Sequence, residues 1–472
     1  MRKNTISVVL VLLLSIVILF ILITFDVFDV KRKEKYIVKK PNILLITVCS
    51  LRQDHLSIYG YPRLTSPNID KLAETSTLFK NSYTHIPWTK PSTIALMTGK
   101  HPSLFTNNGE TLSELLQTAG YFTSGIIGTN MVHKAAKMDV GFDVFLDNRD
   151  LKTGQDHATV QADIIAERAK EFLSQEQIKR SPVFLWLFFK DPHWKYLPPL
   201  PYKHKFLNDL LYSQQFQQLV INKDLNDSIK GIGRARLKDP NGEFITNKAY
   251  YISQYDAEIF FMDTQLGKII NYLKETGRFD DWMIILVADH GESLGGDDYF
   301  FNHGYKLSQG LIKIPLIVKF PGQKRAKVRD DLVSIRDIYP TVVEVLGMTR
   351  DAKEGVGADI YGQSLLLKKG DWLKIFKRNP RKIALENSWG HENEHTRSLG
   401  CIWDSYKLIW NQTTNEKKLY SLLGQETLVE RYNSSQQKLI NDMSEFILNF
   451  FSNRDVAQSN NIDELRSLGY LQ

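Results

Sequence analysis

The residues best placed to do chemistry in this sequence are an adjacent carboxylate and imidazole, Asp289 and His290. They directly follow the apolar run Trp282–Ala288 and precede a glycine. Two potential ligands at a strand end, turned by a glycine, make a compact corner for a divalent metal ion. An Asp-His pair alone is weak evidence for a metal site. The position of this pair directly after a buried apolar run is what favours a role as metal ligands.

A hydroxyl side chain stands at the start of a predicted helix. Thr89 is followed two positions later by Pro91 and then by a small and apolar run that predicts a helix ending near Gly99. The N–H groups and the positive dipole of a helix N-terminus favour a sulfate or phosphate, and they promote loss of a hydroxyl proton. Thr89 is therefore either a nucleophile or, as at many helix starts, a capping residue.

Buried parallel strands must position these groups. Asn42–Val48, residues 182–189 and Trp282–Ala288 are apolar runs typical of strands covered on both faces. In an open α/β sheet the carboxyl ends of such strands face the ligand crevice. Cys49 follows the first run and His193 follows the second, so both are candidates for a site at that edge. A histidine in a loop is otherwise most often a hydrogen-bonding surface residue.

Other elements surround these strands. Apolar residues at helical spacing predict a long amphipathic helix over residues 250–276, with one face in the core. Ser66 and Pro67 predict the N-cap and first position of another helix. Further helical patterns cover residues 158–173 and 437–451, and strand-like runs cover residues 121–127, 382–386, 407–410 and 418–422.

These segments resemble, in order along the chain, the motifs of the sulfatase and alkaline phosphatase superfamily. Residues 89–99 resemble the nucleophile motif, in which Cys or Ser is followed by any residue, Pro, Ser and Arg; Thr89 takes the nucleophile position. The resemblance runs from about Pro41 to the carboxyl end, and its other main matches are residues 51–56, 191–193 and 289–292. It implies an α/β fold with a large, mixed, mostly parallel central sheet flanked by helices, and a smaller C-terminal α+β subdomain.

The resemblance also implies roles for the candidate residues. Asp289 and His290 correspond to metal ligands, and Cys49 stands where the family has its first aspartate ligand. A thiolate binds zinc or another soft divalent metal but suits calcium poorly, so one zinc or manganese ion is favoured, with calcium as an alternative. A small buried residue in a site without metal is the other interpretation of Cys49. His193 and His303 correspond to histidines beside the ester, where His303 would protonate the leaving group.

The sequence departs from the family at three further points. Thr93 replaces the usual arginine, and residues 128–131 lack the lysine and histidine that bind sulfate in many relatives. A threonine at position 89 cannot become formylglycine. The favoured function is a hydrolase that cleaves sulfate or phosphate esters at a single-metal site. The alternatives are a phosphoethanolamine- or glycerol-phosphate-type transferase or phosphodiesterase with a threonine nucleophile, and a non-catalytic binding protein with the sulfatase fold.

The amino-terminal segment predicts a membrane anchor. Residues 6–28 are almost wholly apolar, about 34 Å long as a helix, and no small-residue cleavage site follows them. The basic residues that follow would keep the large domain in the cytoplasm by the positive-inside rule. Long domains translocate despite flanking charge, and the resemblance implies export, so an uncleaved signal anchor with an extracytoplasmic domain is predicted.

The resulting organisation is a short tail (1–5), the transmembrane anchor (6–28), a basic linker (29–40), the sulfatase-like domain (41–365) and the C-terminal subdomain (366–472). The formal net charge of +7 is modest, and no pattern of basic and aromatic residues indicates nucleic-acid binding. The predicted partners are the membrane, through the anchor, and a sulfated or phosphorylated glycan or small ester as substrate.

Overall fold

The computed structural model describes residues 40–104, 110–151, 160–179, 181–207, 219–221, 232–233, 235–296, 299–348, 362–366, 381–387 and 397–458. A sheet of eight strands forms its centre. In chain order the strands are β1 (Asn42–Val48), β2 (Thr77–Tyr83), β3 (Phe122–Ile127), β4 (Val144–Leu146), β5 (Val183–Phe189), β6 (Trp282–Ala288), β7 (Leu316–Lys319) and β8 (Lys327–Ser334).

The sheet is mixed and mostly parallel, as predicted. Its strand order is β4-β3-β5-β1-β6-β7-β2-β8, and only β7 runs antiparallel to its neighbours. β5, β1 and β6 occupy the middle, and every residue of β5 and β6 is buried. Apolar side chains can line both faces of these strands because both faces are covered, which explains their continuous apolar runs.

The helices are α1 (Pro67–Ala73), α2 (Thr89–Thr98), α3 (Leu112–Thr118), α4 (Ala162–Ser174), α5 (Lys248–Glu275), α6 (Gln309–Ile312), α7 (Ile338–Val345) and α8 (Ser434–Gln458). The predicted long helix is α5, which begins at Lys248 because the Asn247 side chain accepts the backbone N–H of Ala249. Both α1 and α4 contact α5. Most of the circumference of α5 is buried, so it packs more completely than the single apolar face that was predicted.

The start of α1 is capped differently from the prediction. Ser66 lies at the N-cap position, but its side chain bonds Ser57 and Asp70 instead of the helix backbone. The carboxylate of Asp263, on α5, accepts the backbone N–H groups of Asn68 and Ile69. A carboxylate at this end of the helix satisfies its N–H groups and interacts favourably with its dipole. The interaction also ties α1 to α5.

An antiparallel sheet and a helix form the carboxyl-terminal part, which confirms its predicted α+β character. The strands are β9 (Lys382–Glu386), β10 (Ser398–Trp403), β11 (Tyr406–Asn411), β12 (Lys417–Ser421) and β13 (Thr427–Leu428), in the order β13-β12-β11-β10-β9. Helix α8 packs against β10 and β11 through a core that includes Cys401, Leu408 and Met443. The domain boundary at residues 365 and 366 stays a prediction.

The predicted tail, anchor and linker lie outside the described residues, except for Lys40 at the end of the linker. Within the part of the chain that the structure describes, no helix has both the length and the apolar character needed to cross a membrane. The anchor at residues 6–28 and the extracytoplasmic location therefore remain predictions.

Candidate active site

The carboxyl ends of β1 and β6 bring a thiol, a carboxylate and an imidazole together. The two strands are parallel neighbours with Val48 opposite Ala288, so the next residues, Cys49 and Asp289, emerge side by side. Cys49 Sγ lies 3.5 Å from Asp289 Oδ2, and His290 Nε2 lies 3.4 Å from the same oxygen. The three side chains are buried, and their ligand atoms all lie within 4.8 Å of one another. The predicted metal ligands therefore form one cluster.

Backbone donors fix the orientation of the Asp289 carboxylate. Its Oδ1 accepts the N–H of Ser50 at 3.1 Å and the N–H of His290 at 2.7 Å, which leaves Oδ2 facing the thiol and imidazole. Ser50 has a left-handed backbone conformation with φ of 56°. The hydroxyl of Tyr255 donates to the Ser50 carbonyl at 2.7 Å and accepts the N–H of Arg52 at 2.9 Å. Helix α5 thus stabilises an uncommon turn directly beside the cluster.

The His290 ring is held in one tautomer. Its Nδ1–H donates to the Gly291 carbonyl at 2.7 Å, so Nε2 carries the lone pair and faces the cluster. Burial lowers the pKa of His290, which favours the neutral ring that a metal ligand requires. A Cβ atom at Gly291 would lie 1.9 Å from the Gly310 carbonyl oxygen, so only glycine allows this close approach.

Thr89 is the first residue of α2 and its hydroxyl belongs to the cluster. Its Oγ1 lies 3.2 Å from His290 Nε2 and 3.6 Å from Cys49 Sγ. Trp88 is the N-cap residue of the helix and makes no capping bond through its side chain. The Thr89 hydroxyl therefore contacts the cluster, and it lies at the N-terminal end of the helix, where an anion is favoured. Thr93, at the position of the family arginine, uses its buried hydroxyl to donate to the Thr89 carbonyl at 2.8 Å.

Two more histidines lie beside the cluster. The ring of His303 lies 4.2 Å from that of His290 and 5.2 Å from that of His193, measured between centroids. Burial lowers the pKa of His303 to about 4. Burial, followed by the neighbouring His303 and Lys190, holds the pKa of His193 well below its usual range. Burial disfavours the charged form of each ring, so the neutral form is favoured near pH 7.

Glu292 contributes to the site, although the sequence suggested no role for it beyond its place in the motif. Its Oε1 lies 3.3 Å from His303 Nδ1, and its side chain is fully buried. Burial raises the pKa of Glu292 to about 8, so the neutral carboxyl is favoured at pH 7. The contact fixes the plane of the His303 ring. Arg52 Nη1 donates to the Glu292 carbonyl at 3.2 Å and holds the same segment in place.

A buried carboxyl of α5 supports the loop that carries His193, and a second buried carboxyl, Asp191, belongs to that loop. Glu258, on α5, accepts the backbone N–H of Leu197 at 2.7 Å. Asp191 Oδ2 and Glu258 Oε2 are buried and have no hydrogen-bond partner among the described residues. Burial raises the pKa of Asp191 to about 7, and burial together with the nearby Asp191 raises the pKa of Glu258. Sequence periodicity gave no sign of these contacts, because a polar residue on a helix does not indicate which distant loop it contacts.

We expect Asp191→Asn to remove a pH dependence of stability. Folding raises the pKa of Asp191 from 3.8 to about 7, so its contribution to stability is complete below about pH 4 and is lost as the pH rises through 7. The amide resembles the protonated carboxyl. The free energy of unfolding of the variant, relative to the original protein, should therefore rise by about 3 kcal/mol between pH 4 and pH 8. Urea unfolding at several pH values measures this difference.

The control for that experiment is Glu167→Gln, which changes an exposed carboxyl on α4. Its stability difference should stay nearly constant across the same pH range. An equally constant difference for Asp191→Asn would contradict the assigned burial cost.

Comparison with known proteins places these features in context. The profile of the Sulfatase family matches residues 41–348. The uncharacterized sulfatase YidJ of Escherichia coli is 26% identical over 80% of each chain. An N-acetylglucosamine-6-O-sulfatase of Bacteroides thetaiotaomicron is 24% identical over 80% of this chain and 79% of its own. The solved structure of a phosphonate monoester hydrolase from Silicibacter pomeroyi superposes with a TM-score of 0.65 at 17% identity, covering 88% of this chain and 96% of its own.

Proposed function

The chain belongs to the sulfatase family of sulfuric ester hydrolases, and on that premise we propose that it cleaves a sulfate or phosphate monoester with Thr89 as nucleophile. The observation that carries the proposal is the contact of Thr89 Oγ1 with both His290 Nε2 and Cys49 Sγ. A hydroxyl at a helix N-terminus, beside three potential metal ligands, is placed where an anionic ester binds and where loss of the hydroxyl proton is favoured.

The donor set fits one divalent metal ion: the sulfur and nitrogen ligands suit zinc, and the carboxylate also suits manganese. Cys49, Asp289 and His290 supply sulfur, oxygen and nitrogen, and catalytic zinc sites commonly combine three such protein ligands with one open position. The tautomer of His290 leaves Nε2 available, and the fixed carboxylate directs Oδ2 to the same point. When bound, the ion would polarise the ester oxygens and lower the pKa of a coordinated hydroxyl. A thiolate ligand argues against calcium.

The chain's own groups account for the covalent steps. The Thr89 hydroxyl releases its proton to water as its oxygen bonds to the sulfur or phosphorus centre, and the ester bond to the leaving alcohol breaks. The leaving oxygen takes up a proton from water beside the neutral rings of His193 and His303, which flank the cluster. Water then cleaves the Thr89 ester, which releases sulfate or phosphate and restores the hydroxyl. These steps need no formylglycine.

A phosphotransferase or phosphodiesterase is the second candidate, and the identity of Thr89 favours it. A threonine phosphoester formed in the first step can pass its phosphoryl group to an acceptor alcohol instead of water. The transferase uses the same site and differs in the second acceptor, whereas a phosphodiesterase uses water but starts from a phosphate diester. The compact contacts among Thr89, Cys49 and His290 support catalysis over a role in binding alone.

The location of the enzyme is also a proposal. An anchor at residues 6–28 would hold residues 41–365 and 366–472 at the outer face of a membrane, with a sulfated or phosphorylated glycan or small ester as substrate. The apolar run and the family resemblance support this arrangement.

The test is turnover of an ester panel by the full-length protein in detergent. The panel contains 4-nitrophenyl sulfate, 4-nitrophenyl phosphate and a 4-nitrophenyl phosphonate, each with zinc, manganese or calcium. We expect metal-dependent release of nitrophenol from at least one ester, and its loss in Asp289→Asn. Formation of glycerol phosphate when glycerol is added would favour the transferase. Failure of every ester with all three metals would overturn the proposed function.

A further inference from the structure

We propose that Glu258 is a positioning residue for His193, and that Glu258 and Asp191 together set an upper pH limit on the activity of the site. The inference rests on the proposed function, because it concerns a histidine of the same site. It follows from two buried carboxyls that take no part in the covalent steps and that both contact the loop carrying His193.

The Glu258 carboxyl joins helix α5 to the loop after β5. Its Oε1 accepts the backbone N–H of Leu197 at 2.7 Å, and the backbone N–H of His193 also donates to the carboxyl. Glu258 is only 3% exposed, so water competes little for these two N–H groups. Glu258 therefore fixes the backbone at both ends of the segment from His193 to Leu197.

The backbone of this segment determines where the His193 ring lies. The Nδ1–H of His193 donates to the Trp194 carbonyl at 2.7 Å, so Nε2 carries the lone pair. While Glu258 holds the segment, the ring of His193 lies 5.2 Å from that of His303, beside the leaving oxygen. Release of the segment from Glu258 would move the ring away from that oxygen.

Asp191 joins the same loop to α4. It lies two residues before His193, and its carboxyl accepts the backbone N–H of Ala162, the first residue of α4. Its Oδ2 is buried and, like Oε2 of Glu258, has no hydrogen-bond partner among the described residues. The two carboxyls lie close enough for the charge of Asp191 to act on Glu258. A negative charge on one of them therefore disfavours a negative charge on the other.

The charges around this pair of carboxyls favour one carboxylate and oppose a second. Lys190, in the same loop, carries a positive charge that favours the ionised form of both carboxyls. Asp163, on α4, adds a negative charge that disfavours ionisation of Asp191. Burial lowers the pKa of His193 and raises the pKa of Tyr196, so neither of these loop residues adds a charge near pH 7. One cation therefore faces a pair that can carry two negative charges.

Rising pH favours release of the loop. Burial raises the pKa of Asp191 from 3.8 to about 7 and raises the pKa of Glu258 well above 4.5. Opening of the loop would place both carboxyls in water, so the open form binds fewer protons than the closed form. The closed loop is therefore fully favoured below about pH 4 and is progressively lost as the pH rises through about 7. Activity that depends on His193 should fall with it.

The first experiment measures kcat and KM of the full-length protein, Asp191→Asn and Glu258→Gln with the best ester of the panel, between about pH 5 and pH 9. We expect kcat of the original protein to fall above about pH 7. The fall should begin at least about one pH unit higher in both variants, because each keeps only one ionisable carboxyl in the pair. A fall at the same pH in all three proteins would overturn the inference.

Glu258→Ala tests the positioning itself, since it removes the acceptor at every pH. Near about pH 6 its kcat should fall roughly tenfold to 100-fold, with a smaller change in KM, as misplacement of a group at the reacting atoms predicts. Glu258→Gln keeps a carbonyl oxygen and should recover most of that loss. In a His193→Ala protein, Glu258→Ala should have much less effect, because Glu258 acts through His193. An equal loss in both backgrounds would reveal a purely structural role and overturn the inference.

Glu275 provides the matched control. It is an exposed carboxyl at the C-terminal end of the same helix, α5. Glu275→Ala and Glu275→Gln should leave kcat and its pH dependence unchanged. A loss in Glu275→Ala equal to that in Glu258→Ala would assign the effect to the helix and overturn the inference.

The inference and the proposed function fail in different ways. If the original protein turns over no ester, the proposed function is wrong, and hydrogen exchange of the Leu197 amide then tests the loop directly. Its protection, corrected for the intrinsic exchange rate, should fall at least about tenfold between about pH 6 and pH 9 in the original protein and stay nearly constant in Asp191→Asn. Protection that is independent of pH in the original protein, or that falls equally in both proteins, would overturn the inference.

Discussion

Thr89→Val is expected to reduce turnover by roughly 10⁴-fold or more, because it removes the attacking oxygen and keeps the β-branched shape at the start of α2. The Thr89 hydroxyl contacts both His290 Nε2 and Cys49 Sγ, so its loss removes the nucleophile from the centre of the cluster. Initial rates on the best ester of the panel measure the effect. Equal metal content in the variant and the original protein would show that the site is otherwise intact.

Two further substitutions make this result interpretable. Thr89→Ser keeps a hydroxyl and should retain measurable turnover. Thr93→Val removes a hydroxyl one turn later on the same helix, where it donates only to the Thr89 carbonyl at 2.8 Å, and should retain turnover within about tenfold. If Thr89→Val kept more than a tenth of the activity, the result would show that water, and not Thr89, attacks the ester. Mass spectrometry after acid quenching should find the transferred group on Thr89.

The sequence predicted the centre of the fold and the cluster for the same reason. The run at β6 is wholly apolar and the run at β1 is apolar except for Asn42 and Thr47, and the predicted bounds of both agree with the structure. Parallel strands present their carboxyl ends at one edge of the sheet, so the sequence predicts Cys49 and Asp289 at the same edge. The order of the strands was not predictable in this way, because β2 pairs between β7 and β8, which lie far from it in the chain.

Residues on α5 show what local patterns miss. Tyr255, Glu258 and Asp263 lie on a helix that the apolar spacing predicted well. Their hydroxyl and carboxyl groups bond the backbone of Ser50, Leu197 and Ile69, respectively. A polar residue on a buried helix must find a partner, but the sequence does not say which one. These contacts determine the turn after β1, the loop of His193 and the start of α1.

Cys49 stands where the sulfatase family has its first aspartate ligand, and its substitution is expected to have a large effect on metal binding. Cys49→Ala should lower zinc affinity at least about 100-fold, because it removes the soft ligand of a three-ligand site. Burial, followed by the charge of Asp289, raises the pKa of the Cys49 thiol well above its usual range, so zinc binding must release its proton. Zinc affinity of the original protein should therefore increase about tenfold for each unit of rising pH. Competition with a zinc chelator at several pH values measures both effects without relying on activity.

Cys49→Asp distinguishes a ligand from a buried core residue. An aspartate supplies a hard oxygen donor, so the ratio of zinc affinity to manganese or calcium affinity should be lower in this variant than in the original protein, whereas Cys49→Ala should bind all three weakly. Cys401→Ala is the matched control, since Cys401 is equally buried but lies on β10, where its thiol contacts the Ile402 carbonyl at 3.6 Å. Elemental analysis should find about one zinc per chain in that control. Equal zinc content in Cys49→Ala and Cys401→Ala would show that Cys49 is not a metal ligand. Absence of metal from every variant would contradict the metal-dependent reaction itself.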